Sequence, residues 1–129
     1  MTLKFFDLAA FTDAYQSIKD TSLPFALAYQ LLSINKAVND CIAFYRDQYN
    51  KLLEEYGMKN DDGTYKISED GAAFLLKEET IQEARQKFFE LDNSEFPIDV
   101  KPIPISALEK LNLSPSKLTG LLPFIEKDE

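Results

Sequence analysis

The side chains with chemistry to offer are mostly carboxylates, and they come as neighbours: Glu54-Glu55, Asp61-Asp62, Glu69-Asp70 and Glu78-Glu79. Acid–base catalysis by two carboxyl groups needs them to face one another across a cleft that drives their pKa values apart. Adjacent residues on a helix or turn point in different directions, so these pairs predict a solvated face. The chain has no His, which removes Ser–His and Cys–His nucleophiles and imidazole metal ligands. Its one cysteine, Cys41, leaves no intrachain disulfide and no cysteine zinc site, and without a base beside it reads as a packed thiol. No GxSxG, GxGxxG, Walker or HExxH spacing occurs. The expectation is a protein that is not an enzyme and carries no metal or cofactor.

One loop invites a calcium test. With Gly63 at position 6 of a calcium loop, Asn60, Asp62 and Glu69 fall at positions 3, 5 and 12. Position 1 is then Met58 and position 9 is Lys66. A thioether cannot stand in for the first carboxylate, so the segment reads as a polar turn.

Two further groupings bear on partners. Arg46 beside Tyr45 and Tyr49, or Arg85 alone, could meet a phosphate between aromatic rings, the chemistry of a protein that sequesters a nucleotide signal. The second grouping is acidic. The chain holds 22 acids against 14 bases, a net charge of −8. Residues 37–70 carry eight acids and four bases, and 71–95 carry six and three. No basic face exists to neutralise phosphates, which speaks against nucleic acid and anionic membrane as partners and for a protein with a basic surface. Glu54, Glu55, Asp61 and Asp62 could mimic DNA phosphates and occupy a basic groove, although Arg46, Lys51, Lys66, Arg85 and Lys87 interrupt the row.

These residues need elements to place them. At 129 residues, 45% apolar and 28% charged, the composition is that of one ordinary globular domain. Residues 2–6 suggest a short strand. Leu8, Phe11, Tyr15 and Ile18 share a helical face over 8–19. Thr21 or Ser22 reads as an N-cap, with Pro24 in a first turn. From 24 to 56 there is no Gly, and Leu31, Ile34, Val38, Cys41, Tyr45, Tyr49, Leu52 and Tyr56 form an amphipathic stripe. Such a helix is about 50 Å long, and Gly57 reads as its C-cap.

Turns at 59–63 and 68–71 bracket a hairpin or ordered loop, with 72–76 ambiguous between strand and helix. Thr80 and Glu83 fit a capping box that opens a helix with Ile81, Ala84, Phe88 and Leu91 on one face. This helix is expected to fold back antiparallel on the long one. Residues 96–100 alternate as a strand whose prolines confine it to an edge, with 2–6 as its partner. Ser106 and Glu109 suggest a second capping box, Ser114-Pro115 opens a last helix that Pro123 ends, and 126–129 is an acidic tail.

The order of features resembles a class of small bacteriophage and prophage accessory proteins of unknown function. It rests on Leu52-Leu53-Glu54-Glu55-Tyr56-Gly57 at a long helix's end, Asp62-Gly63-Thr64-Tyr65 in the turn, the strand at 96–100, and the Leu-rich Ser-Pro end from Leu113 to Leu122. The resemblance implies a phage origin and an accessory role, and brings no catalytic residues with it.

The fold class expected is α+β, mainly α: a long helix with a shorter antiparallel helix, a small sheet and short C-terminal helices. The stripe exceeds what one shorter helix can cover, so Phe44, Tyr45, Tyr49 and Tyr56 are expected to meet a second copy of the chain or a partner protein. The N-terminus lacks the apolar run of a signal peptide or membrane span, which points to the cytoplasm.

Overall fold

The computed structural model describes residues 1–109 and 111–126; the acidic tail expected at 127–129 lies outside them. Its elements are β1 (Thr2–Leu3), α1 (Phe5–Ile18), α2 (Phe25–Tyr56), α3 (Ile81–Asp92), β2 (Phe96–Pro97), α4 (Ile105–Leu108) and α5 (Pro115–Leu121), with 3-10 turns at Glu78–Thr80 and Leu122–Phe124. This is the α+β, mainly α class. The chain divides into two compact units, Met1–Ala43 with Glu95–Glu129, and Phe44–Ser94. No described helix is long and apolar enough to cross a membrane.

The first unit is built on a dry aliphatic and aromatic core. Leu8, Phe11, Ile103, Leu121 and Phe124 are completely buried, and the Phe11 and Phe124 rings meet edge-on at 4.8 Å. α5 lies against α1 because Gly120 lets the backbones touch. A Cβ there would stand 2.4 Å from the Ala10 carbonyl oxygen and 2.9 Å from the Ala14 Cβ. β1 and β2 pair antiparallel, Thr2 opposite Pro97 and Leu3 opposite Phe96, as the sequence suggests, but over two residues each. Pro97 has no N–H to extend the ladder, and Phe5 already begins α1. The Lys4 N–H at the start of α1 donates to the Asp7 carboxylate at 3.2 Å.

Several expected caps form differently. α2 starts at Phe25, and Pro24 lends its carbonyl to the Ala28 N–H at 2.9 Å. Thr21 closes α1, its hydroxyl donating to the Ile18 carbonyl at 2.7 Å. α4 begins at Ile105, so Ser106 is already helical and its box with Glu109 does not form. Ser114-Pro115 opens α5 at the expected place, with Pro115 in its first turn, although the Ser114 side chain makes no cap hydrogen bond. Pro123 sits within the closing 3-10 turn rather than beyond it.

In α2, the buried residues are Leu27, Leu31, Ile34, Val38, Ile42, Tyr45, Leu53 and Tyr56, with Tyr49 half-buried between them. Steps of four outnumber steps of three, the period of a straight helix rather than the 3.5 of a coiled coil. That corrects the expected stripe at two places: Ile42 and Leu53 take the inward positions assigned to Cys41 and Leu52, which are half-buried. The stripe is also covered by its own chain. Leu31 and Val38 are fully buried and Tyr56 is 3% exposed, so its length does not by itself require a partner.

The second unit joins the last turns of α2 to α3 through three short extended segments. Gly57 pairs with Leu76, Lys59 with Tyr65 and Ile67 with Phe74, all antiparallel. Of the segment expected to be ambiguous at 72–76, residues 74–76 are thus extended and 72–73 belong to the bend before them. The three segments close on one another. The Met58 N–H donates to the Leu75 carbonyl at 2.9 Å, Leu75 to Lys66 at 2.9 Å, and Lys66 to Met58 at 2.8 Å. At these three residues no peptide edge is left for another strand. Gly63 and Gly71 supply positive φ, 89° and 73°, at the two turns. Gly57 does not, so it is no left-handed cap. Its missing Cβ matters because one would fall 2.6 Å from the Leu53 carbonyl oxygen and 3.0 Å from the Tyr65 ring. The Thr80 capping box is absent: Thr80 ends the 3-10 turn, makes no side-chain cap hydrogen bond, and its Oγ is buried without a partner.

Candidate functional site

α3 runs antiparallel to the end of α2, as expected, and aromatic and acidic groups hold the pair. The Tyr45 hydroxyl donates to Asp92 Oδ1 at 2.6 Å. The Tyr49 ring meets Phe88 edge-on at 5.1 Å. Glu83 sits beside Tyr56, which feels its charge. Partner numbers fall as those on α2 rise, the signature of an antiparallel pair. Burial, reinforced by the Asp92 carboxylate, pushes the Tyr45 and Tyr49 hydroxyls above their ordinary value of 10.0. Tyr56 is raised by burial and by Glu55 and Glu83. These hydroxyls stay protonated at neutral pH and do not serve as bases, and Tyr45 donates its proton to a hydrogen bond.

Beside this pair opens a cleft of about 490 Å³. Tyr49 and Leu53 form one wall, and Arg85, Phe88, Phe89 and Asp92 another. Residues 71–74 with Ile67 and Leu76 complete it. The lining is chiefly apolar, and Arg85 and Asp92 are its charged side chains. Phe89 is 64% exposed and Ile67 54%, although each lies beside other apolar groups. Gly71, Ala72 and Ala73 put backbone close to the cleft, since they have little or no side chain. Asp70 holds that turn: its carboxylate accepts from the Ser68 hydroxyl at 2.5 Å and the Ala72 N–H at 3.0 Å. Those bonds lower its pKa below the ordinary 3.8.

The sequence-derived candidates therefore separate. Tyr49 and Arg85 come together in the cleft. Tyr45 and Tyr56 are buried and build its support. Arg46 is exposed on α2 and does not line the cleft, nor does Phe44, which is 57% exposed. Glu54 and Glu55 are exposed on the last turn of α2, and Asp61 and Asp62 in the turn that follows. Asp62 is engaged locally, accepting from the Thr64 hydroxyl at 2.6 Å and the Thr64 N–H at 3.0 Å, which lowers its pKa. Cys41 is half-buried on α2, and burial with the nearby Asp40 raises its thiol pKa, the direction that suppresses nucleophilicity. Among the described residues no group of three His, Cys, Asp or Glu could hold a metal ion.

Sequence reasoning missed Phe89, Ile67, Phe74 and Asp92. One signal was present. Phe88-Phe89 on a helix cannot both face inward, because neighbours diverge by about 100°. With Phe88 on the apolar face, Phe89 had to face out.

No protein-family model, curated protein or solved structure matches the chain.

Proposed function

We propose that this is a small, acidic, non-enzymatic accessory protein of the phage type, cytoplasmic, that works by protein–protein contact and associates first with itself. The observation that carries the reading is the open apolar cleft of the second unit, where Phe89 and Ile67 stay more than half exposed beside Phe74. Contiguous apolar surface on a folded protein marks a place where another surface belongs. A host or phage protein with a basic surface fits the net charge of −8; self-association rests on the apolar cleft alone.

Light scattering behind size exclusion, over a hundredfold range of loading, tests the self-association. A mass that climbs above 14.7 kDa with concentration is expected. A mass fixed at one chain throughout would overturn it.

A second reading has its own support. Arg85 and the rings of Tyr49, Phe74, Phe88 and Phe89 line one cavity whose volume falls in the range of small-molecule sites. A phosphate-bearing ligand with a flat ring could meet the guanidinium and stack on the aromatics. Calorimetry with a panel of mono-, di- and cyclic nucleotides checks this. Saturable heat lost in Arg85→Ala supports sequestration, and silence across the panel removes it.

A further inference from the structure

The order of charges on α3 names the partner more closely. Arg85-Gln86-Lys87-Phe88-Phe89-Glu90-Leu91-Asp92 reverses its charges about the bond between Phe88 and Phe89. Arg85 mirrors Asp92, Lys87 mirrors Glu90, and Phe88 mirrors Phe89. We infer that α3 pairs with α3 of a second copy, antiparallel about a two-fold axis at that midpoint, with Phe89 at the centre and Arg85 of each copy against Asp92 of the other. The inference rests on the self-association proposed above and specifies its surface and register.

Three observations converge. The first is facial. At 3.6 residues per turn, Arg85, Phe89 and Asp92 fall within about 60° of arc on one side of the helix. All three line the cleft and are exposed. The second is axial. Arg85 and Asp92 lie about 5 Å to either side of the midpoint. In an antiparallel pair centred there, each guanidinium meets the opposite carboxylate level with it, at both ends of the contact. An isologous interface needs this self-complementarity. A parallel arrangement in register sets like charge against like. The third is the helix's own field. α3 has no basic residue in its last turn, which instead ends on Glu90 and Asp92. Acids at a C-terminus oppose the macrodipole. An antiparallel neighbour brings Arg85 to that end and offsets the mismatch. The Tyr45 hydroxyl at 2.6 Å fixes the Asp92 carboxylate, so it is held in place before the contact forms.

Charge exchange tests this on the full-length protein. Arg85→Asp leaves only acids on the contact face, and Asp92→Arg leaves only bases. Each alone is expected to raise the dimer dissociation constant about tenfold or more, since like charges then oppose one another at both ends. An equimolar mixture of the two variants is expected to regain a dimer, as is the double variant Arg85→Asp/Asp92→Arg, because both restore opposite signs across the axis. Asp92→Arg also removes the acceptor for Tyr45, so circular dichroism melts accompany it. A second variant leaves that bond alone: Phe89→Cys with Cys41→Ala places two thiols at the axis, and rapid air oxidation to a disulfide-linked dimer is expected. A wild-type dimer whose association ignores the exchanges, and whose Phe89→Cys form does not cross-link, would overturn the register while leaving self-association in place. A monomeric wild type overturns both.

Discussion

The two units of the chain are built on different terms. Met1–Ala43 with Glu95–Glu129 closes around side chains that see no solvent: Leu8, Phe11, Leu31, Val38, Ile103, Leu121 and Phe124. Phe44–Ser94 buries Tyr45, Leu53, Tyr56 and Ala84, uses a tyrosine–carboxylate bond where the other unit uses rings and methyls, and leaves Phe89 and Ile67 largely in water. The first unit has what a stable core needs. The second buries fewer side chains and leaves its apolar cleft uncovered, while the first unit has exposed rings of its own, Phe6 and Phe25, outside its core. The contrast separates stability from function: substitutions in the first unit should cost folding, and those around the cleft should cost association.

The largest effect is expected from Phe11→Ala. It removes a fully buried ring packed on Phe124 and should destabilise by about 3–5 kcal/mol in urea titration. A loss under about 1 kcal/mol would show that the core is less closely packed than its burial indicates. Gly120→Ala comes next. The new methyl would meet the Ala10 carbonyl and the Ala14 Cβ at less than van der Waals distance, and should cost about 1–3 kcal/mol. Tyr45→Phe keeps the ring of the second unit but leaves Asp92 without its donor. Because Asp92 is solvent-exposed, the expected loss is about 1 kcal/mol in the same titration.

The pH dependence sharpens the contrast further, because the shifted phenols all lie in the second unit. Tyr45, Tyr49 and Tyr56 have native pKa values raised above 10.0. Their contribution is whole below pH 10 and is lost as pH rises toward the native values. Asp62 and Asp70, lowered from 3.8, contribute above that pH and lose their contribution as it falls. Melting temperature should therefore fall above pH 10, with a shallower fall in Tyr45→Phe. An unchanged slope in that variant would remove Tyr45 from the account. The smallest stability effect is expected from Phe89→Asp. An exposed helical position should move stability by less than about 0.5 kcal/mol while association is lost.

Much of this was legible in the sequence. The long helix showed in an uninterrupted run from Phe25 to Tyr56 at helical spacing, and the β1–β2 pairing in the alternation at 96–100, its prolines at an edge, and a short strand at 2–6 to partner it. Details that depend on tertiary contact were not. Gly57 looked like a left-handed cap, yet its φ is not positive, and a side chain there would meet the Leu53 carbonyl and then the Tyr65 ring arriving from a later segment. Thr80 and Ser106 matched capping motifs whose neighbours already occupied helical turns. The cleft was only partly readable. Arg85 and Tyr49 stood out by chemistry, whereas Ile67 and Phe74 reach it through paired segments that no periodicity announces. Arg46 is adjacent to Tyr45 in sequence, but one step along a helix turned it away from the cleft.

The most direct test of the central claim is a paired one: light scattering of the wild type and Phe89→Asp at the same high concentration. About twice the 14.7 kDa chain mass is expected for the wild type, and a single-chain mass for a variant that melts normally. A wild type of one chain's mass, or a variant as associated as the wild type, would contradict it.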